Sequence, residues 1–272
     1  MTYLYDGTFD GFLTCVYEHY YSGKADAIFP SGAYQAGMFA KPHDVRTEDG
    51  KARKVEDAIT EKISPHALAR VYRVFRTSVE DKEMLLLNYI RFCFRHGPSA
   101  ACLHTHPLVL PVDKAEHRIA NEAHRLCGLI RFSVMTATDS DEDAYSWEAT
   151  VSGRAIARRS APEILYARIS PDHDVLEFIA PHFADRFKSE PFIIHDTERG
   201  KAAIAWRRRW RIEDFTDKDA TLLTGTLGEQ AYRDLWCEYF NTMAIKERTN
   251  SRCQRGLMPA RYWKNLPEMN IR

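Results

Sequence analysis

The stretch Phe192-Ile-Ile-His-Asp-Thr-Glu-Arg-Gly-Lys-Ala-Ala-Ile-Ala-Trp206 decides the fold, because it contains two short apolar runs joined by a tight turn. Runs of this length and composition, at 192–195 and 202–206, predict two strands of a β-hairpin. Upstream, Asp174–Phe187 has the apolar spacing of a helix, and Ile164–Ile169 has the composition of another strand. The pattern predicts an α+β fold, with a mainly antiparallel sheet flanked by helices.

Toward the amino end, capping residues and helix breakers divide the chain into a short strand and several helices. We expect the strand at Tyr3–Tyr5, helix starts at Thr8, at Ser64-Pro65 and at Asp81, and a helix stop at Gly97-Pro98. A further helix over 112–126 is predicted to lead into a strand from Gly128 to Val134.

The sequence from residue 217 onward predicts a helical segment. We expect one long helix over 217–249, although glycines 225 and 228 weaken its middle. We therefore predict a single α+β domain over 1–249, which includes the amino-terminal helices and this long helix. Residues 250–272 are predicted to be a basic, aromatic tail without regular structure that packs on the domain.

The composition excludes several classes of protein. The 272 residues are 44% hydrophobic, which is too apolar for a disordered chain, and no window approaches the roughly 18 apolar residues of a membrane span. The amino end is acidic where a secretory signal is basic, so we expect a cytoplasmic protein with no membrane association. Six scattered cysteines without a C-x-x-C pair argue against a disulfide framework.

Familiar catalytic motifs are missing from the sequence. There is no phosphate-binding loop, dinucleotide fingerprint, H-E-x-x-H or G-x-S-x-G motif, and no C-x-x-x-C-x-x-C for an iron–sulfur cluster. We therefore predict no cofactor and no metal site. The alternative is a metal-dependent hydrolase that uses Cys102, His104 and His106, which would lie on one face of a strand.

Ionisable residues gather where predicted helices and strands end, which is where sites of layered folds collect. They supply imidazole, guanidinium and carboxylate groups, which suit phosphate binding or general acid/base catalysis. The predicted catalytic residues are Glu122, His124, Arg131, His182, Arg186, His195 and Asp196. The alternative is that each of them satisfies a local structural partner.

The carboxyl end combines basic residues with two adjacent aromatic residues, although the formal net charge of the chain is zero. Cationic side chains neutralise phosphates, and aromatic rings stack on unpaired bases. The predicted nucleic-acid-binding residues are Arg248, Arg252, Arg255, Arg261, Tyr262, Trp263 and Lys264. The alternative is a solvated tail whose rings pack into the core.

Four ordered motifs resemble a bacterial family of DNA metabolism or repair proteins whose domain has no assigned function. They are Tyr5-Asp-Gly-Thr-Phe-Asp-Gly-Phe12, Glu122-Ala-His-Arg with Gly128-Leu-Ile-Arg-Phe132, Pro181-His-Phe-Ala-Asp-Arg-Phe187 with Phe192-Ile-Ile-His-Asp196, and Met258-Pro-Ala-Arg-Tyr-Trp263. Members of that family are typically encoded beside a radical S-adenosylmethionine protein, and some are fused to a uracil-DNA-glycosylase-like domain. This sequence resembles the form without the fused domain.

The resemblance implies a DNA repair or DNA modification protein that binds DNA and processes or presents a damaged or modified nucleotide. It also implies a radical S-adenosylmethionine partner encoded as a separate chain. A non-catalytic adaptor for that partner is the competing hypothesis. Neither hypothesis requires the Cys102, His104 and His106 cluster, which matches none of the four motifs.

Overall fold

The structure is a computed structural model, and the residues it describes are 1–34, 42–137, 163–226 and 228–270. The chain divides into two compact units, Met1–Ala120 and Asn121–Arg272, which are described separately. The residues predicted to form a tail, 250–272, belong to the second unit. A single folding domain over 1–249 stays a prediction.

The first unit is a small parallel sheet with helices around it. Its strands have the order β2-β1-β3, and both pairings are parallel: β1 (Thr2–Tyr5), β2 (Ala27–Pro30) and β3 (His43–Asp44). The helices are α1 (Phe9–Tyr21), α2 (Asp49–Lys62), α3 (Pro65–Phe75), α4 (Lys82–His96) and α5 (Leu110–Leu129), the last of which continues into the second unit.

The helix boundaries of this unit follow the local signals in the sequence. The Thr8 side chain accepts a hydrogen bond from the Gly11 backbone N–H at 3.0 Å and caps α1. Ser64 caps α3 in the same way, with Pro65 at the first helical position. Gly97 ends α4 with a φ of 80°, which a glycine adopts without strain.

The core of the first unit lies between the sheet and the inner faces of its helices. Phe12 and Leu13 of α1 and Leu86 and Ile90 of α4 are fully buried in it. The buried Tyr5 hydroxyl donates to the Glu83 carboxylate at 2.8 Å, which satisfies a carboxylate that would otherwise be unpaired in the core.

The second unit is built on a six-stranded sheet with the order β8-β7-β6-β5-β4-β9. Its strands are β4 (Ser133–Ala137), β5 (Glu163–Ile169), β6 (Phe192–Asp196), β7 (Lys201–Trp206), β8 (Arg209–Asp214) and β9 (Leu223–Gly225). Its helices after α5 are α6 (Leu176–Phe187), α7 (Asp217–Ala220), α8 (Glu229–Met243) and α9 (Ser251–Leu257). Short 3-10 turns follow at Lys246–Arg248, Ala260–Asn265 and Pro267–Met269.

The strand pairing of this sheet confirms the predicted α+β class. Strands β5 and β6 are parallel and connected through α6, whereas the other four described pairings are antiparallel. The sheet is therefore mainly antiparallel, with one parallel step in its centre. The predicted hairpin is the β6–β7 pair, in which Asp196 lies opposite Lys201.

The two faces of the six-stranded sheet have different coverings. Helix α6 packs on one face through Phe183 and Phe187, whose rings meet those of Phe132 and Phe192. Because side chains alternate along a strand, His195 projects from the opposite face to Phe192. That second face carries a smaller apolar cluster that includes Tyr166 and Phe215.

Three local predictions are wrong. Instead of one helix over 217–249, the short α7 is followed by β9, in which Gly225 pairs with Met135 of β4, and then by α8. Hydrogen bonding of β9 to the distant strand β4 outweighs the local helix propensity of these residues. The strand predicted from Gly128 begins only at Ser133, since α5 extends to Leu129. The tail is not irregular, because Asn250 caps α9.

Among the described residues, no helix is both long enough and apolar enough to cross a membrane.

The close approach of Asp6 and Thr47 to α1 makes Gly11 a sensitive position. A Cβ atom there would overlap an Asp6 carboxylate oxygen and lie 2.8 Å from the Thr47 hydroxyl. We predict that Gly11→Ala destabilises the first unit by about 1–3 kcal/mol, the usual effect of overpacking. Gly50→Ala in α2, where nothing lies within 4 Å, should stabilise by up to about 1 kcal/mol. Denaturant unfolding midpoints test both; equal effects of the two substitutions would contradict the packing described.

Candidate functional site

The carboxyl ends of β5 and β6 meet at one edge of the sheet, because these two strands are parallel. The loops that follow them are linked by a hydrogen bond between the Ser170 and Thr197 hydroxyls, 2.9 Å apart. Strand ends of this kind position ligand-binding residues in many α/β folds. Charged residues from both loops gather here.

Glu122 of α5 is a buried carboxylate at this edge and accepts hydrogen bonds from four donors. The backbone N–H groups of Asp172 and His173 donate at 2.9 and 2.8 Å. The Tyr262 hydroxyl donates at 2.5 Å and the Arg261 guanidinium at 3.3 Å. With its oxygens occupied, this carboxylate anchors the loop after β5 to the carboxyl-terminal segment.

Arg261 and Tyr262 form the other half of the anchor. Arg261 pairs with the Asp172 carboxylate at 2.8 Å and donates to the Tyr262 hydroxyl at 2.8 Å. The Tyr262 residue is only 2% exposed. Burial and the bond to Glu122 raise the pKa of the Tyr262 hydroxyl, which keeps it protonated as a donor. The structure thus brings Arg261 and Tyr262, from the predicted nucleic-acid-binding set, into contact with Glu122, from the predicted catalytic set. Tyr262 is buried, however, so its ring has no exposed surface on which a base could stack.

Asp196 and Arg199 tie the loop after β6 to the loop after β5. Asp196 is fully buried and accepts from the Glu198 N–H and the Arg199 guanidinium, both at 3.0 Å. Burial raises the pKa of the Asp196 carboxyl, against the opposing effect of Arg199. Arg199 also donates to the backbone carbonyls of Pro171 and Asp172 at 3.2 and 2.6 Å. Asp196 is therefore placed as a structural carboxylate.

His195 lies on the opposite face of the sheet. Its Nδ1 is 2.9 Å from the Tyr166 hydroxyl, and its ring meets the edge of Phe215 at a centroid distance of 4.9 Å. Burial lowers the pKa of His195, and Arg168 acts in the same direction, so the imidazole is neutral at pH 7. Burial raises the pKa of Tyr166 to about 12. Tyr166 and His195 are thus a neutral, hydrogen-bonded pair.

The other two predicted histidines do not join His195. His124 on α5 and His182 on α6 are both exposed, and α6 packs on the sheet face from which His195 points away. In the described part of the chain, no group of three or more His, Cys, Asp or Glu residues is arranged to hold a metal ion.

Arg131 takes part in a structural ion pair. Its guanidinium donates to Glu268 at 2.8 and 3.1 Å and lies 5.1 Å from the centre of the Trp236 ring. The Trp236 indole N–H donates to the other Glu268 oxygen at 3.0 Å. These contacts join the start of β4, helix α8 and the last 3-10 turn.

A groove of about 1450 Å³ opens in the second unit, and most of the charged residues that line it are cationic. Five cations line it: Arg131, Arg168, Arg186, Arg233 and Lys264. The carboxylates that line it are those of Glu229 and Asp234. Among the predicted residues, the groove brings together Arg131, Arg186 and Lys264. We call this feature the cationic groove.

Most cations of the groove have weak or exposed partners. Arg168 pairs with Asp217 at 2.7 Å and Lys264 with Glu198 at 3.3 Å, and all four side chains are about half exposed or more. Exposed pairs contribute about 0–1 kcal/mol, so an incoming anion can replace the carboxylate. Arg186 is exposed and has no ion pair among the described residues.

Aromatic rings accompany these cations. Tyr166 and Phe132 line the groove from the sheet, and Tyr232 and Trp236 line it from α8. Tyr232 and Trp236 are four residues apart and therefore lie on one helix face. Tyr232 is 72% exposed, which leaves its ring open to a ligand. Sequence reasoning missed Tyr166, Arg168, Arg233 and both α8 rings; the i, i+4 spacing of Tyr232 and Trp236 was the available signal.

The remaining predicted nucleic-acid-binding residues lie outside the groove. Arg248, Arg252 and Arg255 are exposed, without an ion pair to any described residue. Trp263 is half-buried, and its indole N–H donates to the Met258 carbonyl at 3.0 Å. Arg252 and Arg255 belong to α9 and Arg248 to the turn before it, whereas the Trp263 indole is hydrogen-bonded to the backbone of its own segment.

The residues of the alternative metal site have other contacts. The His104 ring is hydrogen-bonded to the Asp113 carboxylate, and the His106 ring stacks on Phe92 at a centroid distance of 4.0 Å. Cys102 is exposed at the end of a 3-10 turn. This arrangement gives the metal-dependent hydrolase no support.

Comparison with known proteins gives one match. A protein-family model described as a domain of unknown function, DUF4130, matches residues 80–268. No curated protein and no solved structure matches the chain.

The anchor at Glu122 predicts a large structural effect. We predict that Glu122→Ala destabilises the second unit by about 3–5 kcal/mol, because it leaves Arg261, Tyr262 and two backbone N–H groups without their acceptor. The carboxyl-terminal segment should then be cut rapidly by trypsin. His124→Ala, an exposed change on the same helix, should alter stability by less than about 0.5 kcal/mol. Thermal unfolding and timed proteolysis test this, and equal behaviour of the two variants would contradict the anchoring role.

Proposed function

We propose, from the premise that this chain belongs to the DUF4130 family of domains of unknown function, that it is a DNA repair or DNA modification protein. In this proposal it acts in the cytoplasm, binds DNA in the cationic groove and presents or processes a damaged or modified nucleotide there. The observation that carries the proposal is the groove itself, with five cations against two carboxylates and open aromatic rings.

The charge of the groove favours a phosphate-containing ligand. Guanidinium groups match phosphate oxygens in geometry, and charge-assisted hydrogen bonds to them are strong. Arg168 and Lys264 are exposed enough to exchange weak partners for phosphates, and Arg186 is exposed without an ion pair to any described residue. A polyanion gains further because its condensed counterions are released on binding.

The size and the rings of the groove favour a nucleic acid over a small phosphate ester. Its volume of about 1450 Å³ exceeds that of ordinary small-molecule pockets, which hold about 300–1,000 Å³. Tyr232 and Trp236 offer ring surfaces on which an unpaired base can stack, a contact worth about 1–3 kcal/mol per base. A short single-stranded segment, or a nucleotide turned out of a duplex, fits these features.

The contacts of the predicted catalytic residues favour presentation of the nucleotide over chemistry by this chain alone. Glu122, Arg131 and Asp196 are engaged with internal partners. Among the predicted catalytic residues, Arg186 is exposed at the groove. His195 does not line the groove itself, but it is hydrogen-bonded to Tyr166, which does. We therefore assign Arg186 to phosphate binding.

A separate radical S-adenosylmethionine protein is the proposed partner. The chain has no cysteine cluster for such chemistry, and helix α8 exposes apolar side chains that a partner would cover. Leu235 and Met243 are each 62% exposed on this helix. The same surface favours the second candidate function, that of a non-catalytic adaptor for this partner.

DNA binding is tested with a short single-stranded oligonucleotide and fluorescence anisotropy. We expect the affinity to fall steeply with salt, and Arg186→Gln to reduce the salt slope by about 0.7, the value for one phosphate contact on a single strand. Tyr232→Ala should weaken binding by about 1–3 kcal/mol through lost stacking. Arg118→Gln, an exposed change in the first unit, is the control. No binding, or binding that is the same at low and moderate salt, would refute the proposal.

The partner is tested by mixing purified protein with the radical S-adenosylmethionine protein encoded beside it and measuring complex formation by size-exclusion chromatography. We expect Leu235→Asp to abolish the complex while single-stranded DNA is still bound. Glu238→Gln, an exposed change on the same helix, should leave both unchanged. Failure of the wild-type chain to form the complex would contradict this part of the proposal.

A further inference from the structure

The turn between β7 and β8 has an unusual sequence for its geometry. Trp206 pairs with Arg209, so the turn consists of the two residues Arg207 and Arg208. Both have positive φ angles, 50° and 66°. Two-residue hairpin turns of this type strongly favour Asn-Gly, which adopt positive φ at little cost.

Arginine at these positions costs stability. An L-residue with a side chain in the left-handed region is strained by roughly 1–2 kcal/mol relative to the right-handed region. Strain of this kind persists at functional sites, where a side chain has to be presented in a fixed place. The turn therefore presents two guanidinium groups where a turn optimised for folding would carry none.

The arginine charges at the tip of this hairpin, residues 207–209, have no internal ionic partner among the described residues. Arg207, Arg208 and Arg209 are exposed, and none of their guanidinium groups has a hydrogen bond or ion pair to any residue that the structure describes. The Arg207 guanidinium lies 4.1 Å from the centre of the Trp206 ring, a cation–π contact that restricts its position. The tip thus holds three adjacent cations, one of them pre-oriented.

The surrounding sheet edge carries charges of both signs. Ala205 of β7 lies opposite Phe192, so the tip is at the edge where β6 begins and where the exposed Lys188 precedes it. Two exposed carboxylates, Glu163 and Glu190, also lie near this edge, and neither is within ion-pair distance of the three arginines. The tip is not part of the cationic groove, whose walls contain none of its residues.

We propose that the tip Arg207-Arg208-Arg209 is a second phosphate-binding site, which contacts the backbone of duplex DNA flanking the nucleotide held in the cationic groove. This inference rests on the proposed function. Guanidinium groups bind phosphate oxygens through paired N–H donors, so exposed arginines at a turn can contact the backbone of a duplex. A rigid hairpin also loses little conformational freedom on binding.

The turn itself provides a variant that separates charge from folding. R207N/R208G removes two cations and installs the favoured turn sequence, so the thermal unfolding temperature should rise or stay unchanged. Its affinity for a duplex of about 20 base pairs should fall by about tenfold or more at 0.1 M salt, with a salt slope reduced by about 1.8, the value for two phosphate contacts. R53Q/R118Q, which removes two exposed cations from the first unit, is the control and should change neither quantity.

A charge-keeping variant completes the test. R207K/R208K should keep the wild-type salt slope, and an equal loss in this variant and in R207N/R208G would overturn the proposal. If R207N/R208G binds the duplex with the affinity and salt slope of the wild-type protein, the tip proposal is also overturned. The proposed function is unaffected by that result as long as the wild-type protein binds DNA. If the wild-type chain binds no DNA, the proposed function fails and this site fails with it.

Discussion

The second unit depends on one buried carboxylate. Removing a charge from water is costly unless the charge is fully paired, and Glu122 meets this requirement with donors from Asp172, His173, Arg261 and Tyr262. Those donors come from parts of the sequence that are far apart, so satisfying the charge fixes the loop after β5 and the carboxyl-terminal segment together. Lys264 lies two residues after Tyr262 and lines the cationic groove, so this anchor also sets the position of one groove wall.

The parallel step in the sheet separates structural and functional residues. Asp196 and Phe192 face α6, where aromatic packing and the Arg199 contacts hold the two loops together. Alternation along the same strand directs His195 to the other face, where it meets Tyr166 at the wall of the groove. One short strand thereby contributes to the core on one side and to the candidate site on the other.

Local signals predicted much of the fold, and distant contacts decided the rest. Thr8, Ser64 and Gly97 act through neighbours in sequence, so the helix boundaries that they set could be predicted. The pairing of Gly225 with Met135 joins residues far apart in sequence, so the residues around either of them do not predict it. Glu122 was predicted to be catalytic for the same reason: its structural partner Tyr262 lies 140 residues away, so the sequence around Glu122 does not reveal the contact. Residue type indicates available chemistry, whereas the contacts decide whether that chemistry is open to a ligand.

The central claim is that a single-stranded nucleic acid segment lies in the cationic groove against the rings of α8. Photo-cross-linking with an oligonucleotide that contains 5-iododeoxyuridine, followed by mass spectrometry of the peptides, tests this contact directly, because only a ring that touches the base is joined to it. The account predicts cross-links at Tyr232 or Trp236. Cross-links confined to residues 1–120, or none at a concentration that saturates binding, would contradict it.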